Sequence, residues 1–174
     1  MSLSDQSPDN GTPSPFSART LAVMAIFIAL SAVGSLIKIP SPLGTVALDS
    51  APGFFSAVAF GPWVGFIVIA IGHVLTSAIV GFPFTLPVHL LIALGMGLCA
   101  LVFRWLGRRT LAGLVIAVVV TTLLNSFGLA LVVLPIGGWA MYVASLPSLL
   151  VGAAANLVIA AVAYYAVRDS KLLN

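Results

Sequence analysis

Beyond residue 17 the chain alternates long apolar runs with short breaks rich in proline and glycine. The first run, 21–37, reaches about 25 Å at ~1.5 Å per residue, enough to cross a thinned hydrocarbon core. The segment KIPSPLGTVALDSAP follows and reads as a loop, broken by Pro40, Pro42 and Pro52. A short apolar run at 46–60 ends at Gly61-Pro62, and a third at 63–80 is closed by GFPFTLP. The fourth, 88–106, leads into the basic turn Gly107-Arg108-Arg109. The fifth, 111–134, stops at Pro135-Ile136-Gly137-Gly138, and the last runs from about 147 to 167 with Trp139, Met141 and Tyr142 leading into it. This pattern predicts an all-α integral membrane protein, a bundle of six transmembrane helices. The second run is the weakest, because ten to fifteen residues also suit a re-entrant or buried segment.

Charge decides between the two counts. With six crossings Arg19, Arg104, Arg108, Arg109, Arg168 and Lys171 share one side, and only Lys38 falls on the other. With five crossings that bias largely disappears, so the positive-inside rule favours six, with both termini cytoplasmic in a multi-pass cell-membrane protein. Proline repeats the asymmetry: Pro40, Pro42, Pro52, Pro83, Pro87, Pro135 and Pro147 lie at outer ends, and Pro62 lies at an inner one. Stiff outer connections suit a ligand arriving from outside. Residues 1–17, rich in Ser, Pro, Asp and Gly, read as a disordered cytoplasmic tail, leaving 18–174 as the membrane domain. The tail lacks the basic-then-apolar order of a signal peptide.

Composition removes the soluble alternatives. Of 174 residues, 61% are hydrophobic and 6% charged, far below the ~25% charged of a soluble domain. The chain has four aspartates and no glutamate, and only Asp49 lies away from the ends, so chemistry on paired carboxylates is nearly excluded. Seven scattered basic residues make no nucleic-acid patch. Cys99 alone gives neither a disulfide framework nor a metal cluster. No phosphate-binding G-x-x-x-x-G-K-[ST] loop occurs, so ATP hydrolysis by that route is absent. Neither cofactor, metal nor enzymatic activity is expected. An intramembrane hydrolase would have to rest on Ser126 with His73, which is a loose pairing.

The few polar groups within the apolar runs carry the functional signal, because each is costly in hydrocarbon. Lys38 and Asp49 belong to the first outer loop, and His89 to the outer start of the fourth helix. His73 lies one turn from Ser77 on the third helix, Asn125 past the middle of the fifth and Asn156 near the middle of the sixth. Trp139 and Tyr142 stand at the outer mouth. Their shared depth suggests a cup open outward and closed below. Each also has a plainer role: helix–helix hydrogen bonding for His73, Asn125 and Asn156, interfacial anchoring for Trp139 and Tyr142, and helix capping for Asp49. A second pattern lies on the first helix. Ala18, Ala22, Ala25, Ala29 and Ala32 recur at intervals of four and three, forming a one-faced small-residue stripe for close helix packing, inside the bundle or against a partner.

The six runs, the alanine-striped first helix and the phrase Phe60-Gly61-Pro62-Trp63-Val64-Gly65 resemble the substrate-binding S components of energy-coupling factor (ECF) vitamin transporters. The resemblance extends over about residues 18–170. It implies capture of a vitamin or precursor from outside, and uptake driven by partners: a transmembrane coupling subunit and two ATPase subunits. It also implies that the first-helix alanines meet the coupling subunit and that the Lys38–Asp49 loop closes over the ligand. Ile39-Pro40-Ser41-Pro42, Gly72-His73 and Gly81-Phe82-Pro83 with Thr85, Pro87 and His89 resemble the subgroup linked to cobalamin salvage, whose proposed substrate is α-ribazole. Phe54, Phe55, Trp139 and Tyr142 can then sandwich an aromatic base, with Asp49, His73, His89 and Asn125 on ribose hydroxyls or ring nitrogens. Riboflavin, thiamine or another aromatic vitamin fits the same lining, and a stand-alone proton-coupled transporter using His73 or Asp49 is the contrasting expectation.

Overall fold

A computed structural model describes residues 17–41 and 44–170. The predicted tail falls outside the described residues except for Ser17, whose hydroxyl accepts from Thr20 N–H and caps the first helix, α1 (Ala18–Gly34). Among the described residues three stretches are long and apolar enough to cross a membrane: Pro62–Ile79, Leu86–Gly107 and Leu111–Val167.

Glycine sets the turn that follows α1. A Cβ on Gly34 would stand 2.1 Å from the Leu48 carbonyl oxygen, so the returning chain passes directly across the helix end. Between the two contacts the backbone forms an antiparallel hairpin, β1 (Lys38–Ser41) with β2 (Gly44–Ala47), Lys38 opposite Ala47. The segment read as a loop therefore holds the one exception to the all-α expectation among the described residues.

The second apolar run is corrected more substantially. Its helix, α2 (Ala51–Phe60), has ten residues and rises about 15 Å, half the ~30 Å hydrocarbon thickness. The start of so short a helix is buried at Ser50 and Ala51, where water cannot satisfy the free N–H groups. Nor can it reach the C=O groups of buried Ala57 and Val58, near the exposed end at Phe60. Side chains from other helices do so. Asn156 Oδ1 accepts from Ser50 N–H (3.0 Å) and Ala51 N–H (2.8 Å) at the start. At the other end the Arg104 guanidinium donates to the carbonyls of Ala57 (2.6 Å) and Val58 (3.0 Å).

Gly61, at φ 142°, ends α2, and Pro62 opens α3 (Pro62–Ile79) where its missing N–H is not needed. The two helices then pack almost backbone to backbone, since a Cβ on Gly65 would sit 2.3 Å from Ala57 Cα. The Gly-Pro-x-x-Gly phrase thus has a steric basis. Gly65→Val is expected to lower stability by about 3 kcal/mol in detergent melting. Gly128→Ala, with nothing within 4 Å of the new methyl group, should stay within about 0.5 kcal/mol.

Helix α4 (Leu86–Gly107) returns toward the arginine-bearing end, and α5 (Leu111–Leu123) starts back behind a Thr110 cap. Its continuation loosens into a π-helical turn (Leu124–Gly128) and a 3-10 segment (Leu129–Val133). α6 (Leu134–Val167) is broken at Gly138, at φ 62° and ψ −163°. The Tyr142 hydroxyl reaches the Phe127 carbonyl and the Tyr164 hydroxyl the Arg108 carbonyl, pairings that make a hairpin turning near Gly138. The last helix accordingly begins ahead of Pro147 and accommodates that proline within it, rather than starting there.

The core fills the arginine-bearing half. Phe54, Ile69, Ala100, Phe103, Ala117, Leu157 and Ala160 interlock there, with Phe54 edge-on to Phe103 at 5.6 Å between centroids. Small side chains let the helices close up. The opposite half is not filled.

Candidate functional site

A cavity of about 330 Å³ occupies that opposite half. Asp49 and Ser50 enter it from the connection into α2, His73 from α3, and His89, Ile92 and Met96 from the start of α4. Asn125 comes from the π-helical turn, Leu129 and Val133 from the 3-10 segment, and Ser145, Leu149 and Ala153 from α6. Met96 and Ala153 also belong to the core cluster, so the packed half forms the floor. The lining is mostly apolar with a few convergent polar groups, the usual make-up of a small-molecule site.

His73, Ser77 and His89 form one hydrogen-bonded cluster on its wall. His89 Nδ1 lies 2.9 Å from Ser77 Oγ and 3.2 Å from His73 Nε2. Phe84 N–H donates to His89 Nε2 across a long 3.5 Å, making Nε2 an acceptor and leaving the ring proton on Nδ1. Ser77 spends its own hydrogen on the His73 carbonyl (2.7 Å), so its oxygen is free to accept from His89. Phe84 lies nearly parallel to the His89 ring, 27° and 6.0 Å between centroids. The segment carrying it is conformationally tight, with Phe82 at φ 49° and Thr85 at φ 75°. Such φ values cost of order 1 kcal/mol each and persist where the surroundings hold them.

Asn125, which lines the cavity, has a donor to spare: its buried Nδ2 has no partner among the described residues. An amide hydrogen left over in a cavity wall is a place for an incoming acceptor. Burial raises the Asp49 carboxyl above its ordinary pKa of 3.8, against the lowering pull of its own amide, the Thr76 hydroxyl and the Ser50 amide. The folded state therefore favours the protonated acid, and Asp49 withdraws stability as pH climbs from the ordinary value through the raised one. Asp49→Asn, which mimics the protonated form, should melt higher than the parent at pH 7. The difference should vanish below about pH 4, where the parent is protonated in both states.

The sequence matches a family model described as the substrate-specific component of ECF transporters over residues 19–168. The chain belongs to this family. Its members are substrate-binding subunits of transporters and not enzymes. A solved structure reported as the S component of a bacterial ECF transporter is similar in fold, with a TM-score of 0.69 at 19% identity. The match covers 87% of this chain and 96% of that one. Comparison with curated proteins finds no match.

In this S component, five of the nine residues expected at the ligand site meet in the cavity: Asp49, His73, His89, Asn125 and Asn156. Asn156 is there in a different capacity. Its Oδ1 accepts two backbone N–H bonds, and its Nδ2 donates to the carbonyls of Ala47 (2.9 Å) and Gly152 (2.9 Å). Those four bonds exhaust a carboxamide, so Asn156 holds the loop and leaves nothing for a ligand.

The other four lie elsewhere, as does Phe55, the further phenylalanine expected against the base. Phe54 is fully buried in the core beneath, and Phe55 stacks on Phe27 of α1 at 5.3 Å. Trp139 is 67% exposed, edge-on to Tyr142, whose hydroxyl is engaged by Phe127. Lys38 is exposed at the hairpin start. The aromatic wall instead comes from Phe84, with Ser50 and Ser145 as further polar lining. The signal for Phe84 is an aromatic between Pro83 and Pro87, five residues before His89, where it is poorly placed for packing a helix.

On α1, Ala18, Ala22, Ala25 and Ala29 are all exposed, on the face away from buried Met24 and Ser31, and Ala32 is half-buried.

Proposed function

We propose that this S component captures an uncharged, vitamin-related aromatic nucleoside from outside the cell, with α-ribazole the best fit. In this reading the chain crosses the cell membrane six times with both termini cytoplasmic. Uptake is then driven by an ECF transmembrane coupling subunit and two ATPases. The observation that carries it is a 330 Å³ cavity in which polar groups are few and placed on separate walls. That volume sits at the low end of the ~300–1,000 Å³ typical of small-molecule sites. It suits a nucleoside and is too small for an entire corrinoid.

The chemistry divides accordingly. Phe84 and His89 offer parallel rings for a benzimidazole to stack against, and the free Asn125 amide hydrogen suits a ring nitrogen. The Asp49 carboxyl oxygens accept from vicinal ribose hydroxyls. Among the described residues no fixed positive charge lines the cavity, which argues against phosphorylated cargo.

The test is calorimetry of the purified chain against α-ribazole, riboflavin, thiamine and α-ribazole phosphate. Tight binding of α-ribazole, weakened roughly tenfold or more in Asp49→Ala or His89→Ala, is the expected result. Preference for riboflavin or thiamine would move the assignment to another aromatic vitamin. Proton-driven accumulation by the chain alone in vesicles would overturn the partner-driven reading.

A further inference from the structure

A second concavity, about 370 Å³, lies on the outer wall of the bundle between the first turns of α5 and the last turns of α6. Leu111, Val115 and Val119 form one side, and Val158, Val162 and Tyr165 the other. No polar atom faces into it. Along α5 it runs about 12 Å at 1.5 Å per residue, close to the ~15 Å hydrocarbon depth of one leaflet. β-Branched walls are stiff at χ1, so the groove keeps its shape.

One end of the groove is rimmed by charge. Arg108 and Arg109 precede Leu111 and are both exposed. Arg168 follows Tyr165 by one turn and lies over its ring, 4.5 Å from the centroid. The Tyr164 hydroxyl donates to the Arg108 carbonyl at 3.1 Å, which brings the two helix ends to one level. Against these three cations stands one acid at this end among the described residues, Asp169, 3.5 Å from Arg168. Of the other arginines of this end, Arg104 is committed to the carbonyls of α2, and Arg19 lies on α1, whose residues do not line the groove.

An apolar slot one leaflet deep, closed at headgroup level by guanidinium groups, matches an acyl chain attached to an anionic headgroup. We propose that the α5–α6 groove holds an acyl chain of an anionic phospholipid, its phosphate resting on Arg108, Arg109 and Arg168. The site is separate from the cargo cavity and holds whichever leaflet this end occupies.

The test uses the full chain in nanodiscs of dioleoyl-phosphatidylcholine containing a minor fraction of dioleoyl-phosphatidylglycerol. Retained lipid is read by native mass spectrometry after transfer to detergent. The parent should retain phosphatidylglycerol about tenfold over its share of the disc. The triple variant Arg108→Gln, Arg109→Gln, Arg168→Gln should bring retention to within about twofold of that share. Arg19→Gln, on α1, should leave it unchanged. Val115→Trp with Val162→Trp should fill the groove and lose both lipids, with cargo affinity intact as the check on folding. Equal retention of the two lipids by the parent would overturn the proposal. So would retention unaffected by the triple variant, or a groove covered by a second copy of the chain regardless of lipid.

Discussion

Asn156→Leu is expected to destabilise the protein by about 3–5 kcal/mol and to abolish cargo binding. The substitution keeps side-chain size and removes four hydrogen bonds at once. The N–H groups of Ser50 and Ala51 would be left buried without partners, each worth about 1–3 kcal/mol, and the half-buried Ala47 carbonyl would lose its donor. Melting in detergent should fall by about 10 °C. The loss of binding has a separate cause, because Asp49 is fixed by the same bonds that start α2. Asn156→Asp should fall in between, since a carboxylate still accepts the two N–H bonds and suits a helix start, but cannot donate to the carbonyls. An unchanged melting point in Asn156→Leu would show that α2 does not depend on this clamp.

The second large effect concerns partners rather than folding. Ala25→Trp with Ala29→Trp should reduce uptake by about 100-fold or more, equivalent to about 3 kcal/mol of lost association. Stability of the isolated chain should change by no more than about 0.5 kcal/mol, because both positions are exposed on α1. Cargo affinity should also be unchanged, as the cavity draws on none of α1. Uptake that survives both bulky residues would remove this face from the docking surface. The neighbouring Leu21 and Ile26, 53% and 57% exposed, would then be plain lipid contacts.

Much of the site was legible because hydrocarbon makes polar residues rare. Asp49, His73, His89 and Asn125 could be picked out by asking which polar side chains share a depth, and they share a cavity. The helix breaks at Gly61-Pro62 and Pro135–Gly138 were equally readable, since backbone chemistry there is local. What failed was non-local or directional. Asn156 meets its partners over a hundred positions away in the chain, and nothing near it signals a helix start needing an acceptor. Phe54 was assigned to cargo because an all-apolar helix does not reveal which face turns to the core. Pro147 marked a helix start by soluble-protein logic, whereas neighbouring helices in a membrane bundle tolerate an internal proline.

The short second helix is pinned at one extremity by α6 and at the other by α4. A rod so fastened has no freedom to swing by itself. The Asp49-Ser50 corner on the cavity wall and the Arg104 guanidinium are thus held at a fixed spacing, as the two ends of one stiff element.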